Sequence, residues 1–469
     1  MYFKQLYLGC LSHASYLIGD ETTGEAVVVD PQRDIDGYLE ETTSAGLTIK
    51  HVFLTHFHAD FVSGHLELKA RTGAEIRIGA KARTEYGVTP MEDGDELKVG
   101  QVQLRVLETP GHIPESICLL VFDTARDKEK PYAVLTGDTL FIGDVGRPDL
   151  MARAGVSARN LAACLYDSLH KKLLTLPDDT LVYPAHGAGS MCGKNLGNET
   201  CSTIGAQKKF NYALKPMTKE EFIKLVTADQ PHMPAYFSLN AELNRQSRST
   251  LEETLHHVLK PLSLGEALAL VDKGAQLLDT RLADSYAACH LSGSINIGLS
   301  GRYATWAGTL LNSRRPIVLV TDPGAERESA LRLGRIGFDN IAGYLEGGTK
   351  SLPEDSSLSR GHERISARQL AASLNADTPL VVLDVRATSE WQLGHIQGSI
   401  HIPLPELAAR ASELPRDRQV VTHCAGGYRS SMAVGILEQN GLANLADLAG
   451  GMAAWQKEGL PVAQETVLA

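Results

Sequence analysis

Two short strings carry most of the chemistry this sequence could perform. In HFHAD (His56–Asp60), two histidines at i and i+2 leave an apolar run, and Asp60 follows two positions later. All three side chains can face one pocket. Further donors end other apolar runs: His112 in TPGH, Asp138 in TGD and His186 in PAHG. Imidazoles and carboxylates gathered in this way are ligands for a divalent transition metal. The second string, HCAGGYRS (His423–Ser430), opens with a cysteine and runs into the helical pattern SMAVGILEQNG. A cysteine in a tight loop above a helix N-terminus has a lowered thiolate pKa, and inward-pointing amides there can hold an anion or a persulfide sulfur. Gly426 and Gly427 permit the curl, and Arg429 adds positive charge. Metal chemistry and thiol chemistry on one chain point to a shared substrate, for which sulfur is the natural candidate.

The elements that must position these groups are legible as alternating strands and helices. EAVVVDP (Glu25–Pro31), HVFLTH (His51–His56), EIRIG (Glu75–Gly79), QVQLRVLETPGH (Gln101–His112), YAVLTGD (Tyr132–Asp138) and TLVYPAHG (Thr180–Gly187) read as strands ending in a polar group or glycine. Gly64–Gly73 and Ala158–Leu176 have helical spacing, which predicts a layered α/β fold. The segment Lys215–Phe237 reads as the tail of this domain, with a boundary near Arg245–Glu253.

A long repeat follows. LLDTR recurs as VLDVR, CHLSGSINI as GHIQGSIHI and LEGG as LAGG, carrying Asp279 to Asp384, Gly293 to Gly398 and Gly348 to Gly451 at offsets of 105, 105 and 103. Two copies of one small α/β domain are expected, joined by a polar linker at Ser351–Glu363. The first copy has VTDPGAERESA where the second has its cysteine loop, placing Asp322 or Pro323 at the cysteine position. Such a copy cannot run a covalent thiol step and is expected to scaffold or dimerise. The predicted domains are residues 1–245, 262–355 and 364–469.

At 469 residues and 43% hydrophobic, the chain exceeds one core. A net charge of −11 argues against a general nucleic-acid or anionic-membrane surface, so anionic substrates must be met by local Arg or Lys. Seven scattered cysteines suit a reducing compartment, and the chain reads as cytoplasmic. Its start, with one lysine and polar Ser12, His13 and Ser15, reads as an opening strand rather than a signal, and no stretch could span a bilayer.

The histidine and aspartate pattern resembles the metallo-β-lactamase superfamily over roughly residues 1–240, which implies an αββα sandwich. The sequence departs from HxHxDH at Phe61, where the family places a histidine for a second metal. HADFVSGH, TPGHIPES, GDTLFIGDVGRPDL and PAHGAGSMCGKNLG are similar to the persulfide dioxygenases. That resemblance implies one Fe(II) per chain on His56, His112 and Asp138, with zinc as the alternative metal. It makes His58, Asp60 and His186 groups that orient ligands and substrate, and Arg147 the residue meeting a substrate carboxylate. Cys192 and Cys201 read as packing.

VLDVR, GHIQGSIHIP, HCAGGYRSS and LAGGMAAW resemble a rhodanese domain, making Cys424 the persulfide-forming nucleophile and Ala425, Gly426, Gly427, Tyr428, Arg429 and Ser430 its cradle. Four residues separate Cys424 from Arg429, one fewer than in the related CX5R phosphatases, which favours a sulfur-sized acceptor over phosphate. The whole pattern resembles persulfide dioxygenase–rhodanese fusions with an inactive middle copy. The implied activity is oxidation of a small persulfide, such as glutathione persulfide, by O2 to sulfite and thiol, with rhodanese transfer giving or using thiosulfate. Small-molecule partners and a homo-oligomer are expected. A glyoxalase II-like thioester hydrolase, or a sulfur-carrier or sensor module with a structural metal, are the other readings.

Overall fold

The computed structural model describes residues 1–152, 155–230, 233–352, 357–376 and 380–464. Parts of three expected segments lie outside the described residues: 353–356 of the linker, 231–232 of the tail of the first domain, and 377–379 and 465–469 of the last domain. The chain divides into two compact units, one of residues 1–254 with 334–337, the other of residues 255–333 and 338–469.

The first unit builds the αββα sandwich. One sheet runs, in neighbour order, β1 (Tyr2–Leu8), β2 (His13–Asp20), β3 (Glu25–Val29), β4 (Thr48–Leu54), β5 (Glu75–Gly79) and β6 (Thr89–Met91). The other holds β7 (Glu96–Val99), β8 (Val102–Glu108), β9 (Ile117–Asp123), β10 (Ala133–Gly137), β11 (Leu181–Pro184) and β12 (Ser202–Thr203), also in sequence order. The expected opening strand is β1, paired antiparallel to β2.

Strand side chains alternate between faces, and both faces of each sheet are covered, so the strands are apolar almost throughout. Tyr16, Ile18, Val27 and Val29 face Leu104, Val106, Leu119 and Val121 between the sheets. Their neighbours Leu17 and Val28 pack outward with Tyr38 and Leu68 from helices Asp36–Ser44 and His65–Thr72. Leu120, Phe122 and Val134 pack outward with Leu165 and Phe222 from helices Ala158–Lys171 and Lys219–Thr227. Burying each such side chain contributes about 1.5–3 kcal/mol. This double burial fixes register, because a one-residue slip would exchange the two faces. The strand ends, where the polar donors sit, are fixed with it.

In the second unit the same parallel sheet is built twice. The middle copy orders β13 (Pro261–Leu262), β18 (Ile341–Leu345), β17 (Ile317–Val320), β14 (Gln276–Asp279) and β16 (Ser294–Asn296). The last copy orders β20 (Glu363–Ile365), β24 (Leu445–Leu448), β23 (Gln419–His423), β21 (Leu380–Asp384) and β22 (Ile400–His401). Between them, β15 (His290–Leu291) pairs antiparallel with β19 (Ser359–Arg360), inside the segment expected to be a linker.

Strand pairing corrects one alignment. Asp279 pairs with Val320 as Asp384 pairs with His423. The position equivalent to Cys424 is therefore Thr321, not Asp322 or Pro323. The offset has already fallen to 103 at this loop, a shift that sequence spacing alone could not locate.

Candidate metal centre and thiol loop

The predicted ligands converge. His56 follows β4, His112 follows the turn after β8, Asp138 follows β10 and His186 follows β11, so four strand ends deliver donors to one place. One donor atom each of His56, His112 and Asp138 lies within 4.8 Å of the others, and the same holds for His58, Asp60 and His186. Asp138 faces both groups. Its Oδ2 is 3.7 Å from His56 Nε2 and 3.5 Å from His112 Nε2, and its Oδ1 is 3.6 Å from His186 Nε2.

The outer nitrogens are occupied, which aims the inner ones at the centre. His56 Nδ1 is 2.9 Å from Thr55 Oγ1, His112 Nδ1 is 2.9 Å from the Arg147 carbonyl and His186 Nδ1 is 3.1 Å from the Ser12 carbonyl. Such partners fix the ring orientation of metal-binding histidines. Burial lowers His56 well below the ordinary histidine pKa and also lowers His112, leaving neutral rings with lone pairs to donate. Both Asp138 oxygens, Asp60 Oδ1 and His186 Nε2 are buried with no hydrogen-bond partner. Unpaired buried carboxylates are costly, and a cation at this point would offset that cost, so the donor set fits a metal.

His58 differs from His56. Burial is the largest single influence and acts to lower it, but Asp30, whose Oδ1 lies 3.0 Å from Nε2, together with the Asp138 and Asp60 charges outweighs burial and raises its pKa. Asp30 adopts a left-handed φ of 50° and accepts from the Thr55 amide and hydroxyl, so it braces the HFHAD loop from behind. Asn244 grips the same loop from the front. Its Nδ2 donates to the carbonyls of His58 (2.8 Å) and Phe61 (2.9 Å), and its Oδ1 accepts from the Ser63 amide (2.8 Å). Phe61 supplies no donor; its ring sits 4.3 Å from that of His58 and 4.0 Å from that of His13.

Sequence reasoning passed over Asp30, Asn244 and buried His13, and it read Cys192 as packing. The Cys192 thiol shares the 4.8 Å grouping with Asp138 and His186. Burial, and then the Asp60 and Asp138 charges, push that thiol well up. The signals available were the polar end of EAVVVDP and the cysteine close behind PAHG.

Arg147 is 1% exposed, and its guanidinium binds Asp149 through Nε (2.7 Å) and Nη2 (2.8 Å) and the Met191 carbonyl through Nη1 (3.1 Å). Gly146 before it must lack a side chain, because a Cβ would lie 1.9 Å from the Asp138 carbonyl oxygen.

In the second unit the residues expected to form the cradle follow β23 and open helix Tyr428–Gln439. Cys424 follows β23, buried, and the Gly427 amide donates to its Sγ at 3.1 Å. Gly427 has φ 92° and opens helix Tyr428–Gln439, whereas Gly426 lies outside the left-handed region with open space around it. Only Gly427 is demanded by the curl. Ser430 Oγ is 3.9 Å from Cys424 Sγ, and Arg429 forms a bidentate pair with Glu390 at 2.6 and 2.7 Å. The helix leans on the middle copy. Tyr428 Oη donates to the Gly298 carbonyl (2.7 Å), Ser431 Oγ donates to Asn296 Oδ1 (2.6 Å), and a Cβ on Gly301 would collide with the Tyr428 ring.

The metallo-beta-lactamase superfamily matches residues 8–186, and the rhodanese-like domain family matches residues 263–353 and 366–458. Persulfide dioxygenase ETHE1 of Homo sapiens is 29% identical over 215 residues, covering 45% of this chain and 75% of its own. Its Mus musculus counterpart is 31% identical over 222 residues with the same two shares. A solved structure of a metallo-beta-lactamase from Staphylococcus aureus subsp. aureus COL aligns with a TM-score of 0.66 and 32% identity, covering 73% of this chain and 98% of that one. The chain belongs to the metallo-β-lactamase superfamily, as a homologue of the ETHE1 persulfide dioxygenases that continues into two tandem rhodanese-like domains.

Proposed function

We propose that this chain is a non-haem Fe(II) persulfide dioxygenase coupled to rhodanese-type sulfur transfer. The observation that carries the reading is the convergence of two imidazoles and one carboxylate, His56, His112 and Asp138, beside a second group in which Phe61 replaces a donor. A two-histidine, one-carboxylate face suits iron that must also meet a thiolate and O2. The iron, when bound, supplies the redox chemistry of O2 and a Lewis-acid site for the persulfide sulfur. Overall, a persulfide, O2 and water give thiol and sulfite.

The protein's own residues hold and shield this reaction. Thr55 and the Arg147 carbonyl lock the His56 and His112 rings, so Arg147 acts on the centre through its backbone. His58, paired with Asp30, and His186, close to Asp60, offer hydrogen bonds to bound oxygen or water. Phe61 and the buried walls exclude bulk solvent. In the last domain, the Gly427 amide donates to the Cys424 sulfur at the start of helix Tyr428–Gln439, a setting that suits a bound anion. Cys424 attacks the outer sulfur of a small persulfide, breaking its S–S bond and releasing the carrier thiol, and sulfite then takes that sulfur from the Cys424 persulfide to give thiosulfate and restore the cysteine; the reverse runs from thiosulfate.

The grouping of His58, Asp60 and His186 favours a second reading, a two-metal thioester hydrolase. Metal analysis with O2 uptake on glutathione persulfide separates them. One iron per chain is expected, with both iron and O2 uptake lost in Asp138→Ala. Two tight zinc ions, with thioester hydrolysis and no O2 uptake, would overturn the proposal.

A further inference from the structure

The ligand loop takes part of its backbone bonding from a turn far along the chain. Residues 334–337 belong to the first compact unit, although in sequence they lie between helix Glu326–Gly334 and β18 of the middle copy. Two successive carbonyls of this turn are taken up near the metal donors. The Val62 amide, two residues after Asp60, donates to the Arg335 carbonyl at 2.7 Å, and Arg33 Nη1 donates to the Gly334 carbonyl at 2.8 Å.

We infer that Arg335 is a positioning residue for the metal centre, acting through this turn, and that supplying the turn is a function of the copy that lacks the cysteine. The inference rests on His56, His112 and Asp138 holding a metal, and not on which reaction that metal performs.

Three observations carry it. First, Val62 is fully buried, and a buried amide without an acceptor is costly. The Arg335 carbonyl meets that need. The next two amides use other partners, Ser63 donating to Asn244 Oδ1 (2.8 Å) and Gly64 to the Pro31 carbonyl (2.9 Å), so the exit of the ligand loop is set by three separate acceptors. Second, the turn is itself anchored. Arg335 Nε and Nη2 donate to the two Asp34 oxygens at 2.8 and 2.5 Å, and only 12% and 17% of the two side chains are exposed. A two-pronged pair of this kind fixes direction as well as distance. Asp34 and Arg33 lie in the same short segment as Asp30, which pairs with His58 and accepts from the Thr55 hydroxyl. Third, the fit is close. Gly337 has φ 70°, and a Cβ there would lie 2.4 Å from Leu243 Cδ1, 3.0 Å from Asn240 Oδ1 and 3.2 Å from Val62 Cγ2. Leu243 precedes Asn244, the residue bonded to the His58 and Phe61 carbonyls. Partners of this outer kind set how well ligands are aimed, which metal affinity and the spectrum of the bound ion both report.

The test uses full-length protein. Freed of metal, it is titrated with Co(II) and read by the visible absorption of the bound ion; loaded with iron, it is assayed for O2 uptake on glutathione persulfide. Arg335→Met should bind Co(II) about tenfold more weakly with a displaced absorption band, and should lower kcat roughly five- to tenfold while KM stays within about twofold. Arg335→Lys, which keeps the charge beside Asp34, should recover most of the loss. Gly337→Ala, which presses on Val62 without touching a charge, should act in the same direction as Arg335→Met. Sulfur transfer from thiosulfate to cyanide, the work of Cys424, should stay within about twofold in all three, as a control on folding. Parent-like Co(II) affinity and absorption in folded Arg335→Met or Gly337→Ala would overturn the inference, and so would a matching fall in sulfur transfer, which would mean general damage. If Arg335→Met does not fold, Arg335→Lys and Gly337→Ala decide by the same readings. Weakened Co(II) binding in the variants, with no O2 uptake even in parent protein, leaves the role of the turn standing and removes the dioxygenase reading.

Discussion

The two halves of the second unit share one sheet order and differ in what their loops hold. Gly324 has φ 91° and Gly427 φ 92°, so the same left-handed residue stands three positions after the last strand residue's successor in each copy. Asp279 pairs with Arg281 as Asp384 pairs with Arg386. In the last copy, the Gly427 amide donates to Cys424 Sγ. In the middle copy, the equivalent Gly324 amide donates at 2.9 Å to the carboxylate of Glu326, which occupies the position of Arg429. A loop of inward amides calls for an anion. Where the thiol is gone, a carboxylate of the chain itself accepts from the equivalent amide in an exposed contact, and the copy keeps its frame. Val320 and Thr321 replace His423 and Cys424.

The largest effect tests whether only one loop works. Cys424→Ser should lower thiosulfate-to-cyanide sulfur transfer by roughly three orders of magnitude or more, since a hydroxyl cannot form a persulfide. Persulfide-dependent O2 uptake should stay within about twofold. Residual transfer near the parent rate would show that the middle copy is active, and loss of O2 uptake in folded, iron-loaded protein would show an obligatory relay through Cys424.

The next contrast is His423 against Val320. Burial lowers His423 to about 4, against the attraction of Asp384. The unfolded chain takes up a proton near the ordinary value of about 6.5, whereas the folded one resists until about 4. The contribution of His423 to stability is thus complete above pH 6.5 and lost as pH falls towards 4, a change on the order of 3 kcal/mol at its limit. Thermal unfolding of the second unit between pH 7 and 4 should flatten in His423→Val, and a parallel profile would refute the assignment.

Converting one copy into the other sharpens the comparison further. In the Cys424→Ser background, Thr321→Cys alone should stay sluggish towards iodoacetamide, because Glu326 competes for the Gly324 amide. Adding Glu326→Gln should raise alkylation at pH 7 by about tenfold through a lower thiol pKa. Equal rates in both variants would mean that the carboxylate does not block the cradle. The smallest effect concerns the lean of one copy on the other. Tyr428→Phe removes a hydrogen bond worth about 1 kcal/mol and should slow sulfur transfer about two- to fivefold without loss of fold, as read by kinetics beside a melting curve.

The sequence exposed what recurs or alternates. Strand ends carrying His56, His112, Asp138 and His186 were legible because apolar runs stop abruptly at polar residues, and the repeat was legible from its spacing. The Thr321 register was not, since a two-residue difference hides in loops and only pairing in the sheet reveals it. Asp30 and Asn244 escaped notice, and Cys192 was read as packing, for a related reason. Their roles come from contacts made by irregular segments, where neither period nor propensity says which side chain will meet which backbone. Arg147 shows the limit of a motif: the recognised string contains Asp149, but only the folded chain shows that this carboxylate engages the Arg147 fork.

The grip of Asn244 on the HFHAD loop bears on timing. Its bonds reach back 186 and 183 residues, to His58 and Phe61. At a synthesis rate of about 5–20 residues per second, that partner follows the histidines by roughly ten to forty seconds. During this interval His56 and His58 have Thr55 and Asp30 as partners, and the backbone of the loop gains its bonds to Asn244 afterwards. The loop that carries His56 and His58 therefore gains these bonds only after the last of the strand-end donors, His186, has been made.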